Sequence, residues 1–223
     1  AVAPRNCWTV LDTHDGIGII DVAREGDQAG LLSDEAVDSL VETVHEKTGE
    51  TSRSASGYAA SNLDVYQVNS TFYDALGRDD VDYLLARAIQ FFAPGTPQVY
   101  YVGLLAGTND LELVGKTGVG RDINRHYYAP EEIRAEIDRP VVRSLMHLIR
   151  IRNGIPAFAG TFSMPECGDS ELILRWESPH CMAQLNVDLE RRTATIDCVD
   201  SDKRRRWTIG DGLLKAAESG AAI

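Results

Sequence analysis

The chain has 223 residues, 43% of them hydrophobic and 25% charged, and it carries a formal net charge of −12. This composition is ordinary for a globular protein that buries a sizeable core, and it excludes a disordered chain. The acidic balance argues against a nucleic-acid partner, because a nucleic-acid surface needs clustered lysine and arginine. The single dense basic run, residues 203–206, is more simply explained as a solvated turn.

The sequence also lacks the patterns of a membrane protein, a leader peptide or a metal site. No run of residues reaches the length of a membrane span, and no basic-then-apolar leader is present, so we expect a cytoplasmic protein without a membrane partner. The four cysteines have no CxxC spacing and make no metal pattern with the five histidines. We therefore expect reduced structural thiols and no bound metal.

The first part of the chain predicts strands and helices in alternation. Residues 6–11 are typical of a buried strand, and residues 34–47 carry apolar residues on one helical face, with Ser33 as the N-cap. A second helix is predicted over 79–92, and two more begin at Pro130 and Pro140. Between these elements the composition predicts a loop over 49–60, a short helix or turn over 69–77, a strand over 98–103 and a long loop over 104–128.

The last part of the chain has a different pattern. After residue 154, short segments of alternating polar and apolar residues are separated by turn residues, which is typical of a small antiparallel sheet. The predicted strands are 161–162, 171–176, 181–187, 193–198 and 205–209. We therefore expect two domains, 1–154 and 155–223, of which the second is all-β.

The most informative stretch for function is TVLDTHDGIG, residues 9–18. A buried strand that ends in His14 and Asp15 and then turns on glycines is typical of a parallel barrel, which presents polar groups at the carboxyl ends of its strands. A carboxylate there can accept hydrogen bonds from sugar hydroxyls and stabilise positive charge at an anomeric carbon. The spacing alone is equally consistent with a capping aspartate and a loop histidine that bond only to local backbone.

Two further polar clusters are candidates for the same site. In NLDVYQVN, residues 62–69, polar and apolar residues alternate, as expected for a loop anchored by its apolar residues or, equally, for an edge strand. In GRDINRH, residues 120–126, the arginines suit a bidentate grip on a carboxylate or phosphate, and a surface salt-bridge cluster is an alternative of equal weight. The adjoining Tyr127 and Tyr128 offer aromatic faces either to a sugar or to the packing of the loop.

Taken together, these segments resemble the sucrose phosphorylase group of the α-amylase-type glycoside hydrolase family. The matching motifs are TVLDTHDGIG, SNLDVYQVNSTFY, PGTPQVYYVGLLAG and GRDINRHYY. The PGxPxxYYxG run is shared broadly across α-amylase-like barrels, whereas the combination of LDVYQVNSTFY with GRDINRHYY is much narrower. The resemblance implies an α/β fold: the last two βα units of a (β/α)8 TIM barrel, followed by a small antiparallel β-domain.

The resemblance also implies roles for individual residues. Asp15 matches the carboxylate that stabilises the transition state, and His14 matches the histidine that holds the glucosyl hydroxyls. Arg121 matches the arginine that faces the glucosyl subsite. The mobile loop on the acceptor side, where fructose and then phosphate are handled, is matched by Asp64, Val65, Tyr66 and Gln67. Arg125 is a further candidate for phosphate, but its position is not one that the resemblance supports.

The reaction that the resemblance implies is glucosyl transfer from sucrose to inorganic phosphate, by double displacement with retention and without a metal or organic cofactor. In such enzymes an aspartate nucleophile and a glutamate acid/base lie on earlier strands, and neither has a counterpart here. We therefore expect the chain to be the carboxyl-terminal portion of such an enzyme and to be inactive alone. For the full-length parent a homodimer is a further expectation.

Two alternatives stay open. Related phosphorylases act on sucrose 6-phosphate, glucosylglycerol or glucosylglycerate, and the acceptor loop decides among these substrates. Residues 64–67 favour unphosphorylated sucrose. The second alternative lies outside the enzymes: a non-catalytic, sugar-binding remnant of the fold.

Overall fold

The computed structural model describes residues 6–19, 22, 28–58, 67–201 and 203–216. The chain divides into two compact units. The sheet unit comprises residues 1–9, 80–98 and 138–223, and the loop unit comprises residues 10–79 and 99–137. A domain boundary after residue 154 stays a prediction.

Both units contain helices, but the long strands all lie in the sheet unit. In chain order, the strands are β1 Trp8–Thr9, β2 Ile17–Gly18, β3 Gln67–Val68, β4 Thr96–Pro97, β5 Thr161–Ser163, β6 Glu171–Ser178, β7 Cys181–Asp188, β8 Thr193–Asp200, β9 Lys203–Ile209 and β10 Lys215–Ala216. The helices are α1 Asp34–Lys47, α2 Thr51–Tyr58, α3 Phe72–Ala75, α4 Asp80–Phe92, α5 Tyr101–Leu104, α6 Leu111–Thr117, α7 Pro130–Ile137 and α8 Pro140–Gly154. Among the described residues, no helix combines the length and the apolar character needed to cross a bilayer.

The main feature of the sheet unit is an antiparallel sheet in the order β10-β9-β8-β7-β6-β5. Side chains alternate between its two faces, as the pleat requires. One row across the four central strands is apolar and buried: Leu174, Leu185, Ile196 and Trp207. The adjacent row, on the opposite face, is polar: Arg175, Gln184, Asp197 and Arg206. This alternation is the pattern that predicted the sheet.

The sheet unit also contains a parallel strand pair, β1 with β4, in which Trp8 lies opposite Thr96. Gln90 of α4 joins the ends of these strands, because its Nε2 donates to the carbonyl oxygens of Thr9 and Gln98, both at 2.8 Å. Thr9 of β1 is also the first residue of TVLDTHDGIG.

The loop unit holds little regular sheet. β2 pairs with β3 in antiparallel fashion, and Gly18 lies opposite Gln67. The helix α1 begins at the predicted cap, where Ser33 Oγ accepts a hydrogen bond from the Ala36 amide (3.3 Å). Two small apolar clusters lie in the described part of this unit. The first contains Ile19, Val37, Val44, Val68 and Ala75, and the second contains Ala55, Val114 and Ile123.

Several predicted elements are confirmed and others are wrong. The buried strand predicted over 6–11 is confirmed only for Trp8–Thr9, and it is not buried, since Trp8 is 73% exposed. The helices at Pro130 and Pro140 and the five strands of the tail are present, with β10 in addition. The loop predicted over 49–60 is wrong for residues 51–58, which form α2. Small residues predict a loop when only the local sequence is considered. Here they form a helix whose small side chains allow close packing, and Ala55 is fully buried.

The strand predicted over 98–103 is also wrong. Tyr100 keeps extended backbone (φ −66°, ψ 147°), and Tyr101–Leu104 then form the short helix α5. The aromatic and β-branched residues predicted a strand from propensity, but tertiary contacts override that preference. Val102 is buried, and its carbonyl oxygen accepts a hydrogen bond from the Gly107 amide (2.9 Å). The long loop predicted over 104–128 contains α6 and a 3-10 helix over Gly120–Asn124.

Candidate active site

A tight turn over residues 13–16 carries His14 and Asp15. Thr13 and Gly16 exchange two backbone hydrogen bonds of 3.1 Å, and the Asp15 amide donates to Thr13 Oγ1 (3.2 Å). Gly16 has a φ of +101°, and a Cβ at this position would clash with the carbonyl oxygen of Val68 on β3. Glycine is therefore required at position 16 by both backbone conformation and space.

The arginine segment, Gly120–Tyr128, holds this turn in place. Asn124 Nδ2 donates to the Thr13 carbonyl oxygen (2.8 Å), and Arg125 Nε donates to the His14 carbonyl oxygen (2.8 Å). At the start of the segment, a Cβ on Gly120 would clash with the backbone carbonyl of Ala55 on α2. The close approach of α2 to the arginine segment therefore depends on glycine at position 120.

Three side chains converge on the Asp15 carboxylate. Arg121 Nη1 lies 3.1 Å from Oδ1, and Arg125 Nη2 lies 3.5 Å from the same oxygen. On the other side, His14 Nε2 lies 3.2 Å from Oδ2. The Asp15 side chain is 28% exposed and that of His14 is 67% exposed, so both are accessible to a ligand. Charge-assisted hydrogen bonds from two guanidinium groups fix the orientation of the carboxylate.

His126 forms a second polar cluster within the arginine segment. Its Nδ1 lies 2.6 Å from Asp110 Oδ2, and its Nε2 lies 2.8 Å from Glu132 Oε1. Burial lowers the pKa of His126, but the hydrogen bonds and charges of the two carboxylates outweigh it, so the pKa is raised above its ordinary value. For Asp110, burial raises the pKa, and the hydrogen bonds from His126 and the Leu113 amide reverse this, so the pKa is lowered. These directions favour an imidazolium between two carboxylates.

The two adjoining tyrosines have different environments. The Tyr128 ring packs edge-on against His126, with 4.6 Å between ring centroids, and against Tyr101 at 6.2 Å. A Cβ on Gly107 would clash with the Tyr128 hydroxyl. Tyr127, by contrast, is 77% exposed. Tyr128 therefore packs the loop, whereas Tyr127 offers an accessible aromatic face.

The structure brings together part of the predicted site. Arg121 and His14 both contact the Asp15 carboxylate. Gln67 lies in β3 and is partly buried. The other three residues of the predicted acceptor loop, Asp64, Val65 and Tyr66, lie outside the described residues.

Other polar residues that support the turn have weaker sequence signals. Arg125 contacts both the Asp15 carboxylate and the His14 backbone, although its position is not one that the resemblance supports. Asn124 is 1% exposed, and Asp12, on the strand side of the turn, is 2% exposed. Burial of a polar side chain within a motif would have identified Asn124 and Asp12 as candidates. Burial cannot be read from a single sequence.

Comparisons with known proteins decide the family. The chain is 57% identical over 196 residues to the sucrose phosphorylase of Agrobacterium vitis, a match that covers 87% of this chain and 40% of the relative. It is 44% identical over 201 residues to the glucosylglycerol phosphorylase of Marinobacter adhaerens, covering 89% of this chain and 40% of the relative. The chain is a homologue of the sucrose phosphorylases. No protein-family model matches it.

A solved structure confirms the fold of the sucrose phosphorylase homologue. The crystal structure of sucrose 6F-phosphate phosphorylase from Thermoanaerobacter thermosaccharolyticum matches with a TM-score of 0.77 at 38% identity, covering 92% of this chain and 40% of that chain. The predicted fold class is therefore confirmed: the chain has the fold of the carboxyl-terminal part of a TIM-barrel phosphorylase, with helices and a six-stranded antiparallel sheet near its end. The chain spans about 40% of the length of the curated relatives it matches.

Proposed function

We propose that this chain supplies the transition-state-stabilising side of the glucosyl subsite in a retaining sucrose phosphorylase. The observation that carries the proposal is the convergence of Arg121, Arg125 and His14 on the partly exposed carboxylate of Asp15. An oriented carboxylate that does not itself attack is suited to stabilise the positive charge that develops at an anomeric carbon.

In the proposed reaction, a carboxylate nucleophile outside this chain displaces fructose from sucrose and forms a β-glucosyl-enzyme. Phosphate oxygen then attacks the anomeric carbon, the bond to the enzyme breaks, and α-glucose 1-phosphate leaves. His14 and Asp15 hold sugar hydroxyls during both steps. The two arginines fix the Asp15 carboxylate, and Arg121 faces the glucosyl unit.

The acceptor side of the site is assigned to Asp64, Val65, Tyr66 and Gln67. Fructose leaves and phosphate enters along this loop, so its polar groups must serve both ligands in turn. Water competes with phosphate for the glucosyl unit, and the loop has to exclude it. We infer that these residues, with Arg121, set the preference for phosphate over water.

The proposed substrate is unphosphorylated sucrose. The chain is more similar to the sucrose phosphorylase, at 57% identity, than to the glucosylglycerol phosphorylase, at 44%. The acceptor loop motif favours the same substrate. Because the nucleophile and the acid/base have no counterpart in these residues, we also propose that the isolated chain does not catalyse phosphorolysis.

A chimaera tests the proposal. This chain replaces the matching portion of the Agrobacterium vitis sucrose phosphorylase, which supplies the nucleophile and the acid/base. We expect phosphate-dependent release of fructose and α-glucose 1-phosphate from sucrose, and at least tenfold lower kcat/KM on sucrose 6-phosphate and on glucosylglycerol, by the usual discrimination of a site built around one substrate.

Within the chimaera, Asp15→Asn tests the central residue. Removing one preorganised charge at the transition state costs about 10²- to 10³-fold in kcat, with an unchanged melting temperature. The matched control is Asp34→Asn, at the exposed start of α1, which leaves kcat unchanged. A folded chimaera without activity, or full activity in Asp15→Asn, overturns the proposal. Sugar binding without turnover supports the non-catalytic alternative.

A further inference from the structure

The His126 cluster joins the arginine segment to Asp110 at the start of α6 and to Glu132 of α7. Asp110 caps α6, because its Oδ1 accepts from the Leu113 amide (2.8 Å), while its Oδ2 faces His126. The Asp110 amide also donates to the Ile123 carbonyl oxygen (2.7 Å). One residue therefore bonds to the arginine segment at two points, three residues apart.

Glu132 secures the other side of His126. Its Oε1 faces the imidazole, and its Oε2 accepts from the Ala129 amide (3.3 Å) at the start of α7. The backbone of His126 is also held, since the Tyr101 hydroxyl donates to its carbonyl oxygen (2.9 Å). His126 is thus fixed through both ring nitrogens, through its carbonyl and through ring packing against Tyr128.

His126, Asp110 and Glu132, here called the clamp, lie next to the residues that contact Asp15. His126 directly follows Arg125, whose guanidinium contacts Asp15 and the His14 carbonyl oxygen. Movement of the segment by one ångström would carry the arginines out of hydrogen-bond reach of the carboxylate, and misplacement of that size is costly to catalysis.

We propose that His126 is a positioning residue, which holds the arginine segment so that Arg121 and Arg125 remain on Asp15. The inference rests on the proposed function, since it assigns a part in the same site. His126 does not touch the reacting atoms and acts through the segment alone.

The charge of His126 matters to the clamp. The imidazolium donates from both ring nitrogens, whereas neutral imidazole donates from one only, which leaves one carboxylate without its donor. The charges that act on His126 are those of Asp110 and Glu132, and Lys116 acts in turn on Asp110. Within the segment, Arg125 and Asp122 pair with each other (3.4 Å). His126 also contacts the Tyr128 ring and, through its carbonyl oxygen, the Tyr101 hydroxyl. The clamp therefore loosens as pH rises through the raised pKa of His126.

The test uses three variants of the chimaera described above. His126→Phe keeps a ring against Tyr128 and removes both donors. Glu132→Gln keeps the shape and removes one charge that faces the imidazole. Glu131→Gln is the matched control, because the neighbouring carboxylate is exposed and pairs with Arg134 (3.0 Å) instead.

We expect kcat/KM of the unsubstituted chimaera to fall as pH rises, and Glu132→Gln to move this fall to lower pH. His126→Phe lowers kcat/KM by about 10- to 100-fold and removes this fall, and Glu131→Gln changes neither. A His126→Phe variant with normal kcat/KM and a normal pH profile overturns the inference.

Hydrogen exchange separates this inference from the proposed function. If the unsubstituted chimaera is folded but inactive, the proposed function fails. The clamp is then judged by peptides that cover residues 120–128. Faster exchange in His126→Phe than in Glu131→Gln supports the positioning role, and equal exchange in the two variants overturns it.

Discussion

The sheet unit and the loop unit are stabilised in different ways. In the sheet unit, backbone ladders join six strands, and each apolar residue on one face packs beside its cross-strand partners, such as Leu185 between Leu174 and Ile196. In the loop unit, the strands β2 and β3 are two residues long, and side chains bond to backbone groups far along the chain, as Asn124 does to Thr13.

This difference indicates which unit is more sensitive to the exact position of single side chains. A ladder tolerates changes on its polar face, since its register is set by many backbone bonds and by the alternation of side chains. A turn held by a few side chains depends on each of them. The candidate site is in the loop unit, where individual atoms of Gly16, Asn124 and Arg125 determine the placement of Asp15.

The largest expected effect tests the apolar face of the sheet. Leu185 is fully buried on β7, and Leu185→Ala would leave a cavity among its cross-strand neighbours. We expect a loss of about 3 kcal/mol in the free energy of unfolding. Urea unfolding followed by tryptophan fluorescence measures it, because Trp176 and Trp207 both lie in this sheet.

The matched change on the same sheet is Thr208→Ala. Thr208 is exposed on β9, one residue from the buried Trp207. We expect its effect to stay within about 0.5 kcal/mol. Equal losses in the two variants would contradict the view that the sheet depends on one face.

The next effect tests the dependence of the loop unit on single atoms. In Gly120→Ala, the new methyl group would meet the backbone carbonyl of Ala55, so α2 and the arginine segment have to separate. Forcing extra atoms into a packed contact costs about 2 kcal/mol. Hydrogen exchange of peptides over residues 51–58 and 120–128 should quicken in this variant.

The control for that change is Gly115→Ala in α6, where a Cβ meets nothing within 4 Å. There we expect a gain of about 0.5–1 kcal/mol, since alanine restricts the unfolded chain and favours the helix. A stabilised Gly120→Ala variant would show that the segment and α2 do not need their close approach.

Sequence reasoning succeeded where structure is local. The helix α1 could be predicted to its ends from Ser33 and its apolar face, and the tail strands from alternation. It failed for α2 and for the strand expected over 98–103, because both depend on contacts with distant residues, such as Ala55 with Gly120.

The candidate site shows the same division. Motifs predicted that His14, Asp15 and Arg121 lie together, and the structure places all three in contact. The additional contact of Arg125 with Asp15 and the fixing of His126 by Asp110 join residues 16 or more positions apart. A single sequence carries no periodic signal for such pairs, so only the structure reveals them.

A smaller effect is expected at the start of α1. Ser33→Ala removes the oxygen that accepts from the Ala36 amide. Loss of an N-cap costs about 1 kcal/mol, measurable by circular dichroism during urea unfolding. Ser39→Ala, at an exposed position within the same helix, should instead stabilise by a few tenths of a kcal/mol, roughly the difference in helix propensity. Equal effects would exclude a capping role for Ser33.

The last prediction concerns pH, and it uses two histidines of the loop unit with opposite shifts. Burial lowers the pKa of His45, helped by the charge of Arg53, and its Nδ1 lies 2.6 Å from Ser52 Oγ. The pKa of His126 is raised by its two carboxylate partners, which outweigh burial. The unfolded value for both is about 6.5.

The two shifts give opposite dependences of stability on pH. The contribution of His45 is complete above the unfolded value and is lost as pH falls through the lowered folded pKa. The contribution of His126 is complete below the unfolded value and is lost as pH rises through the raised folded pKa. The free energy lost in His126→Phe should therefore shrink as pH rises, whereas that lost in His45→Gln should shrink as pH falls. The free energy of unfolding of each variant, measured at a series of pH values on both sides of the unfolded pKa, gives both trends. If the two trends ran in the same direction, one of the two histidines would not have the charge state assigned to it.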